Sequence, residues 1–153
     1  MQNPSESNPD SQRLVVTCVV QGTRCGVDAQ SVQEVVRVAH ITPVHQAPDF
    51  VLGVMNLRGR ILTVIDLAVK LNLGRTSMTA DSRILIVEFQ GEPVGLLIER
   101  DSGVAEVAPP DMRPAPENLR RMYGAVLDGV CLINDQLIAI LNLDALLGDD
   151  RGV

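Results

Sequence analysis

Apolar residues recur along this chain in short runs cut by turn residues, the pattern of many strands rather than a few long helices. The first run, Leu14 to Val20, is followed by a turn at Gln21-Gly22-Thr23-Arg24, and Cys25-Gly26-Val27 resumes the strand. From Ser31 to Val38 the alternation is less regular, and the segment reads as a helical turn leading into a strand. Pro43 and Pro48 make Ile41 to Phe50 a loop. Gly53 to Leu57 and Ile61 to Ile65 then flank Arg58-Gly59-Arg60, a tight hairpin. Asp66 stands where an N-cap belongs and Gly74 where a helix stops, so a short helix is expected from Leu67 to about Leu73. Arg75 to Ser82 is a polar linker.

The same order returns in the second half. Ile84 to Phe89 and Val94 to Ile98 read as strands around Gln90-Gly91-Glu92-Pro93. Ala108 to Pro116 is a Pro-rich loop, and Glu117 to Tyr123 holds one helical turn. Gly124 to Ile133 and Leu137 to Leu141 are strands around Asn134-Asp135, with Asn142 and Gly148 as a second N-cap and stop. The halves also align residue by residue. Val20-Gln21-Gly22 falls on Phe89-Gln90-Gly91, Cys25-Gly26-Val27 on Val94-Gly95-Leu96, and Val35 and Val38 on Val104 and Val107. Ile61 to Leu67 falls on Leu137 to Leu143. An offset of about 70 residues marks an internal duplication into two small β units. Units that small bury too little apolar surface to stand alone, so the two are expected to pack together, with a groove between them as the natural concave site.

Composition narrows the classes. The chain has 153 residues, 46% of them hydrophobic and 21% charged, which suits one folded domain or two very small ones sharing a core. Aromatics are only 2%, so the core is built from Val, Leu and Ile. A net charge of −6 with a single lysine, Lys70, and few stacking rings argues against nucleic-acid binding. No apolar run approaches the roughly 20 residues of a spanning helix, and no N-terminal apolar segment marks export. Met1 to Gln12 is polar and reads as a disordered tail, and three cysteines without an export signal suit a reducing cytoplasm.

Catalytic motifs are scarce. The chain has no phosphate-binding Gly-rich loop, no nucleophile elbow and no His-Glu-x-x-His. His40 and His45 lie in a Pro-containing loop without the Cys spacing of a zinc site, so no metal and no cofactor are expected. Cys18 and Cys25 read as small buried hydrophobes, against the alternative of a Cys–His nucleophile pair. The duplication singles out something else. Where the second half has Asn134-Asp135, residues that tolerate a left-handed turn, the first has Arg58-Gly59. No turn type demands Arg58, whose guanidinium suits bidentate recognition of a carboxylate. Glu34, set among valines, is the expected partner within the chain, and its second-half counterpart is Gly103.

These residues carry a resemblance. Val32-Gln33-Glu34-Val35, Gly53-Val54-Met55-Asn56-Leu57-Arg58-Gly59, Ile65-Asp66-Leu67 and Arg113-Pro114-Ala115-Pro116 resemble the CheW family of chemotaxis coupling proteins, over roughly Leu14 to Leu147. The resemblance implies a mostly β fold of two packed five-stranded barrels of the Src-homology-3 type with short helices. It implies a single domain over 13–148, made of subdomains at about 13–75 and 82–148 that can exchange strands, between tails at 1–12 and 149–153. It implies no enzymatic activity, no catalytic residue and no cofactor. Such proteins couple the cytoplasmic tip of methyl-accepting chemoreceptors to the regulatory domain of a CheA-type histidine kinase, in cytoplasmic arrays at the membrane with weak self-association. Partner contacts then fall on Val32, Glu34, Gly53, Asn56, Arg58 and Gly59, with the receptor's helical hairpin in the groove and the kinase at the barrel ends. Arg83 departs from the family, which often carries an apolar residue there, and bears on which receptor is bound. The same coupling role in twitching motility, development or cyclic-di-GMP output is the alternative.

Overall fold

The computed structural model describes residues 13–123 and 126–148. Both expected tails and Gly124, where a strand was expected to begin, lie outside them. A first hairpin, β1 (Arg13–Val20) and β2 (Thr23–Asp28), leads through a 3₁₀ turn at Ala29–Ser31 into β3 (Val32–Arg37). The two-residue β4 (Ile41–Thr42) precedes the hairpin of β5 (Val51–Leu57) and β6 (Arg60–Asp66), which ends in α1 (Leu67–Lys70). After the linker come β7 (Arg83–Phe89), β8 (Glu92–Ile98) and β9 (Arg100–Val107). The two-residue β10 (Met112–Arg113), α2 (Glu117–Tyr123), β11 (Leu127–Ile133), β12 (Gln136–Leu141) and α3 (Leu143–Gly148) complete the described chain.

Two six-stranded sheets result, ordered β10-β11-β12-β2-β1-β9 and β4-β5-β6-β8-β7-β3. Written this way, they match strand for strand, and the match is the duplication read from sequence. The parallel pairs repeat it to the residue: Ala139 and Ile140 face Cys25 and Gly26, as Thr63 and Val64 face Val94 and Gly95. Each sheet holds six strands rather than five, the sixth being a two-residue edge strand, and its end strands are not hydrogen-bonded into a closed barrel. Nor do the sheets follow the halves of the chain. The β1–β2 hairpin sits with β9 to β12, while β7–β8 sits with β3 to β6.

This exchange explains why Leu14 to Val20 and Ile84 to Phe89 read as nearly continuous apolar runs. In β7, Ile84 and Ile86 point into one sheet's own core with Met55, Leu62, Val64 and Leu97. Leu85 and Val87 point the other way, into a joint core with Val16, Cys18, Val20, Leu96 and Leu146. A strand buried on both faces has no polar side to show. The smaller core of the other sheet holds Val15, Val107, Cys131, Ile138 and Ile140.

The structure departs from the local expectations at five places. α1 stops early because Asn72 takes the left-handed conformation (φ +61°), with Leu73 N–H bonded to Ala68 C=O at 2.8 Å and Asn72 N–H to Val69 C=O at 3.0 Å. That is a Schellman cap with Asn72 at its turning point, two residues before Gly74. The loops expected over Ile41 to Phe50 and Ala108 to Pro116 each contribute a short edge strand. Glu117–Tyr123 is a seven-residue helix, not one turn. Finally, the hydrophobic pattern assigns no element to β9. It is an exposed edge strand whose Arg100, Asp101 and Glu106 hide its alternation, and such charges guard a free edge.

Candidate functional site

The β5–β6 hairpin turns on Arg58 and Gly59, both with positive φ (+50° and +85°), as Asn134 and Asp135 do in β11–β12 (+50° and +63°). Two-residue turns of this hand match the twist of the strands they join. Glycine and asparagine enter that conformation readily, whereas for a residue such as arginine it costs roughly 1–2 kcal/mol. Asn56 offsets part of that cost, since its Oδ1 accepts the Gly59 N–H at 2.9 Å. The turn is thereby fixed with Arg58 exposed at its tip.

Glu34 reaches Arg58 from the far end of the same sheet. The β3–β7 register slips between Val32 and Glu34, so Gln33 is bulged out. The equivalent slip in β1–β9 bulges Ser102 beside Gly103. A bulge re-aims the side chain next to it, and here it delivers the Glu34 carboxylate to Arg58 Nη2. Because β3 and β5 are not sheet neighbours, the ion pair spans the seam that hydrogen bonds leave open. With the Arg58 side chain 68% exposed, the pair adds only about 0–1 kcal/mol to stability. Its effect is to hold the guanidinium in place while its other donors meet no further partner among the described residues. Beside it lies a hollow of about 160 Å³ floored by Leu57, Leu62, Ile86 and Pro93.

Of the six candidate residues, Glu34, Asn56, Arg58 and Gly59 form one exposed site. Val32 and Gly53 do not join it. Val32 is half-buried against the joint core. Gly53 is buried at the β5–β6 bulge, where a Cβ would stand 2.0 Å from the Thr42 carbonyl oxygen. Gly129, its counterpart, meets the Arg113 carbonyl in the same way, at 2.5 Å. Gly53 is therefore required by the close approach of β4. The roles of Asn56 and the bulged Gln33 were missed; the alignment of Glu34 on Gly103 was the signal for the second.

The remaining chemistry is inert. All three thiols are free and buried, and burial pushes Cys25 up to about 12 and Cys18 well above its ordinary value. His40 and His45 are exposed loop residues. Among the described residues no three metal-binding side chains converge, and no helix is long and apolar enough to cross a membrane.

Comparison with known proteins gives a consistent picture. The model of the CheW-like domain matches residues 14–151. A chemotaxis protein CheW of Rhizobium meliloti is 27% identical over 99% of this chain and 97% of its own length. A chemotaxis protein CheW of Klebsiella aerogenes is 29% identical over 82% of this chain and 76% of its own. Protein FrzA of Myxococcus xanthus is 29% identical over 61% of this chain and 58% of its own. The crystal structure of the scaffolding protein TtCheW from Thermoanaerobacter tengcongensis superposes with a TM-score of 0.83 at 29% identity, covering 100% of this chain and 96% of that one.

Proposed function

The chain belongs to the family of CheW-like domains, and from that membership we propose that it couples methyl-accepting chemoreceptors to a CheA-type histidine kinase. The family's role is that of a scaffold, not an enzyme. The observation that carries the finer reading is the Arg58 turn: an arginine kept in a left-handed conformation, fastened by Glu34 and Asn56, at an exposed tip where the duplicated half has asparagine. The exposed ion pair gives the fold at most about 1 kcal/mol, which the left-handed strain offsets, and a pre-positioned guanidinium meets a partner's carboxylate at little entropic cost.

In this reading the receptor's helical hairpin docks between the sheets and the kinase regulatory domain takes the barrel ends, at receptor arrays under the membrane. Coupling then requires that the scaffold bind the kinase-on and kinase-off arrangements unequally. Contacts of roughly 800 Å² per partner or less would be individually modest and become stable by acting together in an array, with weak self-association.

The test is co-sedimentation with chemoreceptor fragments, with and without the kinase, for wild type and Arg58→Ala. A ternary complex that the variant weakens about tenfold, with its fold unchanged by circular dichroism, is the expected result. A folded wild type that binds neither partner would overturn it. Similarity to FrzA favours a second reading, the same coupling role in a non-flagellar pathway such as twitching motility, development or cyclic-di-GMP output. A pull-down from the source cell separates the two.

A further inference from the structure

β3 lies at the open edge of its sheet, and its last residue, Arg37, stands directly opposite Arg83 of β7. Side chains of directly opposed residues share a face, and like charges in that position are unfavourable. The face is defined by the neighbours. Leu85 and Val87, two and four residues beyond Arg83, enter the joint core, and Val35 lies opposite Leu85 and is partly exposed. The two arginines therefore extend the inter-sheet face outward to its mouth.

Neither guanidinium has a carboxylate partner among the described residues. Arg83 is held by its own loop, with Nη1 donating to the carbonyls of Ala80 (3.0 Å) and Ser82 (2.8 Å). Glu99, on the strand end beside it, is occupied by the Gly22 N–H at 3.2 Å. The fold does not need this basic pair, since the matching cross-strand pair of the other sheet is Leu14 opposite Glu106. In a chain of net charge −6, a repulsive arginine pair that the duplicated half lacks is a local inversion of sign.

We propose that Arg37 and Arg83 form a docking spot for an acidic stretch of the receptor's helical hairpin, and so select which receptor is bound. Charge complementarity names the occupant: carboxylates on the hairpin relieve the repulsion between the arginines and take guanidinium donors that no other described residue uses. The proposal rests on the coupling role above.

The experiment measures binding of the full chain to a chemoreceptor cytoplasmic-tip fragment by titration calorimetry at low and at about 300 mM salt. The fragment is used in native form and with its exposed Glu and Asp changed to Gln and Asn. Arg37→Glu is the variant, because it leaves the Arg83 loop bonds alone and replaces a like-charge pair by an opposite one, so it folds. It should bind the native fragment about tenfold more weakly at low salt, and the difference should shrink at high salt. The neutralised fragment should bind wild type and variant equally. Equal binding of the native fragment by both proteins overturns the arginine spot and leaves the coupling role standing. A variant that loses the same factor toward both fragments overturns selection by charge, as does a variant altered only in self-association. A wild type that binds neither fragment nor kinase overturns the coupling role, and this proposal with it.

Discussion

Arg58 and Asn134 occupy the same turn position with the same φ of +50°, so each tests the other. Arg58→Asn should raise the urea midpoint slightly or leave it unchanged. Relief of about 1 kcal/mol of left-handed strain offsets the loss of an exposed ion pair. Partner binding should still fall. A loss of more than about 1 kcal/mol would show that arginine is kept for the fold. Gly53 behaves oppositely. Its φ of +148° and the Thr42 carbonyl 2.0 Å from a built Cβ leave no room for a side chain. Gly53→Ala should cost about 2–4 kcal/mol in chemical denaturation, and any binding defect should track that loss. Both residues were singled out from sequence for one role, and contact geometry separates them.

Between single residues and sheets, the caps explain how the linker is tied down. The buried Asp66 accepts the Ala68 N–H at 3.0 Å as N-cap of α1, and also takes Thr76 N–H (3.1 Å) and Oγ1 (2.6 Å) from the linker. Its counterpart Asn142 caps α3 through Ala145 N–H at 3.0 Å and donates to Asp128 at 3.0 Å. Asp66→Ala removes a cap and strands one buried and two half-buried donors, so a loss of about 2–3 kcal/mol is expected in thermal or urea unfolding. Asn142→Ala should cost about 1 kcal/mol, the value of the cap, since its bond to Asp128 is exposed and adds little. Equal losses would mean that the Thr76 bonds contribute nothing. Both caps could be read from sequence because a cap is a local device. The stop at Asn72 could not, because Asn and Gly both tolerate the left-handed turn and only the wrap of Leu73 onto Ala68 selects between them.

Across the joined sheets, the thiols report on the core they share. Cys18 and Cys25 face each other across β1–β2 and both enter the joint core. Burial holds Cys25 at about 12 and Cys18 well above its ordinary value, against an ordinary thiol value of 9.0 in the unfolded chain. Between these limits the unfolded state loses thiol protons that the folded state retains, so the stabilisation present below about pH 9 declines as pH rises toward 12. The denaturation midpoint should therefore drop across that window, and Cys18→Ala/Cys25→Ala should flatten the drop. A thiol reagent should label both cysteines only as the chain unfolds; prompt labelling of the native protein would show that the sheets part.

Period, turn chemistry and caps act over a few residues, and so most strands, the hairpins, the N-caps and the duplication were legible in the chain, while the charged edge strand β9 and the two-residue β4 and β10 were not. The Arg58 anomaly was legible too, because an internal repeat supplies its own control at Asn134. Partner choice between strands was not. The exchange of β1–β2 against β7–β8 depends on which distant apolar faces meet, and two faces of equal hydrophobicity look alike along the chain. For the same reason the seam joining Glu34 to Arg58, the bulge that aims Glu34, and the opposition of Arg37 to Arg83 appear only once register is known. A shift of one residue in register turns every side chain to the other face, so sites built across strands are settled by packing in three dimensions.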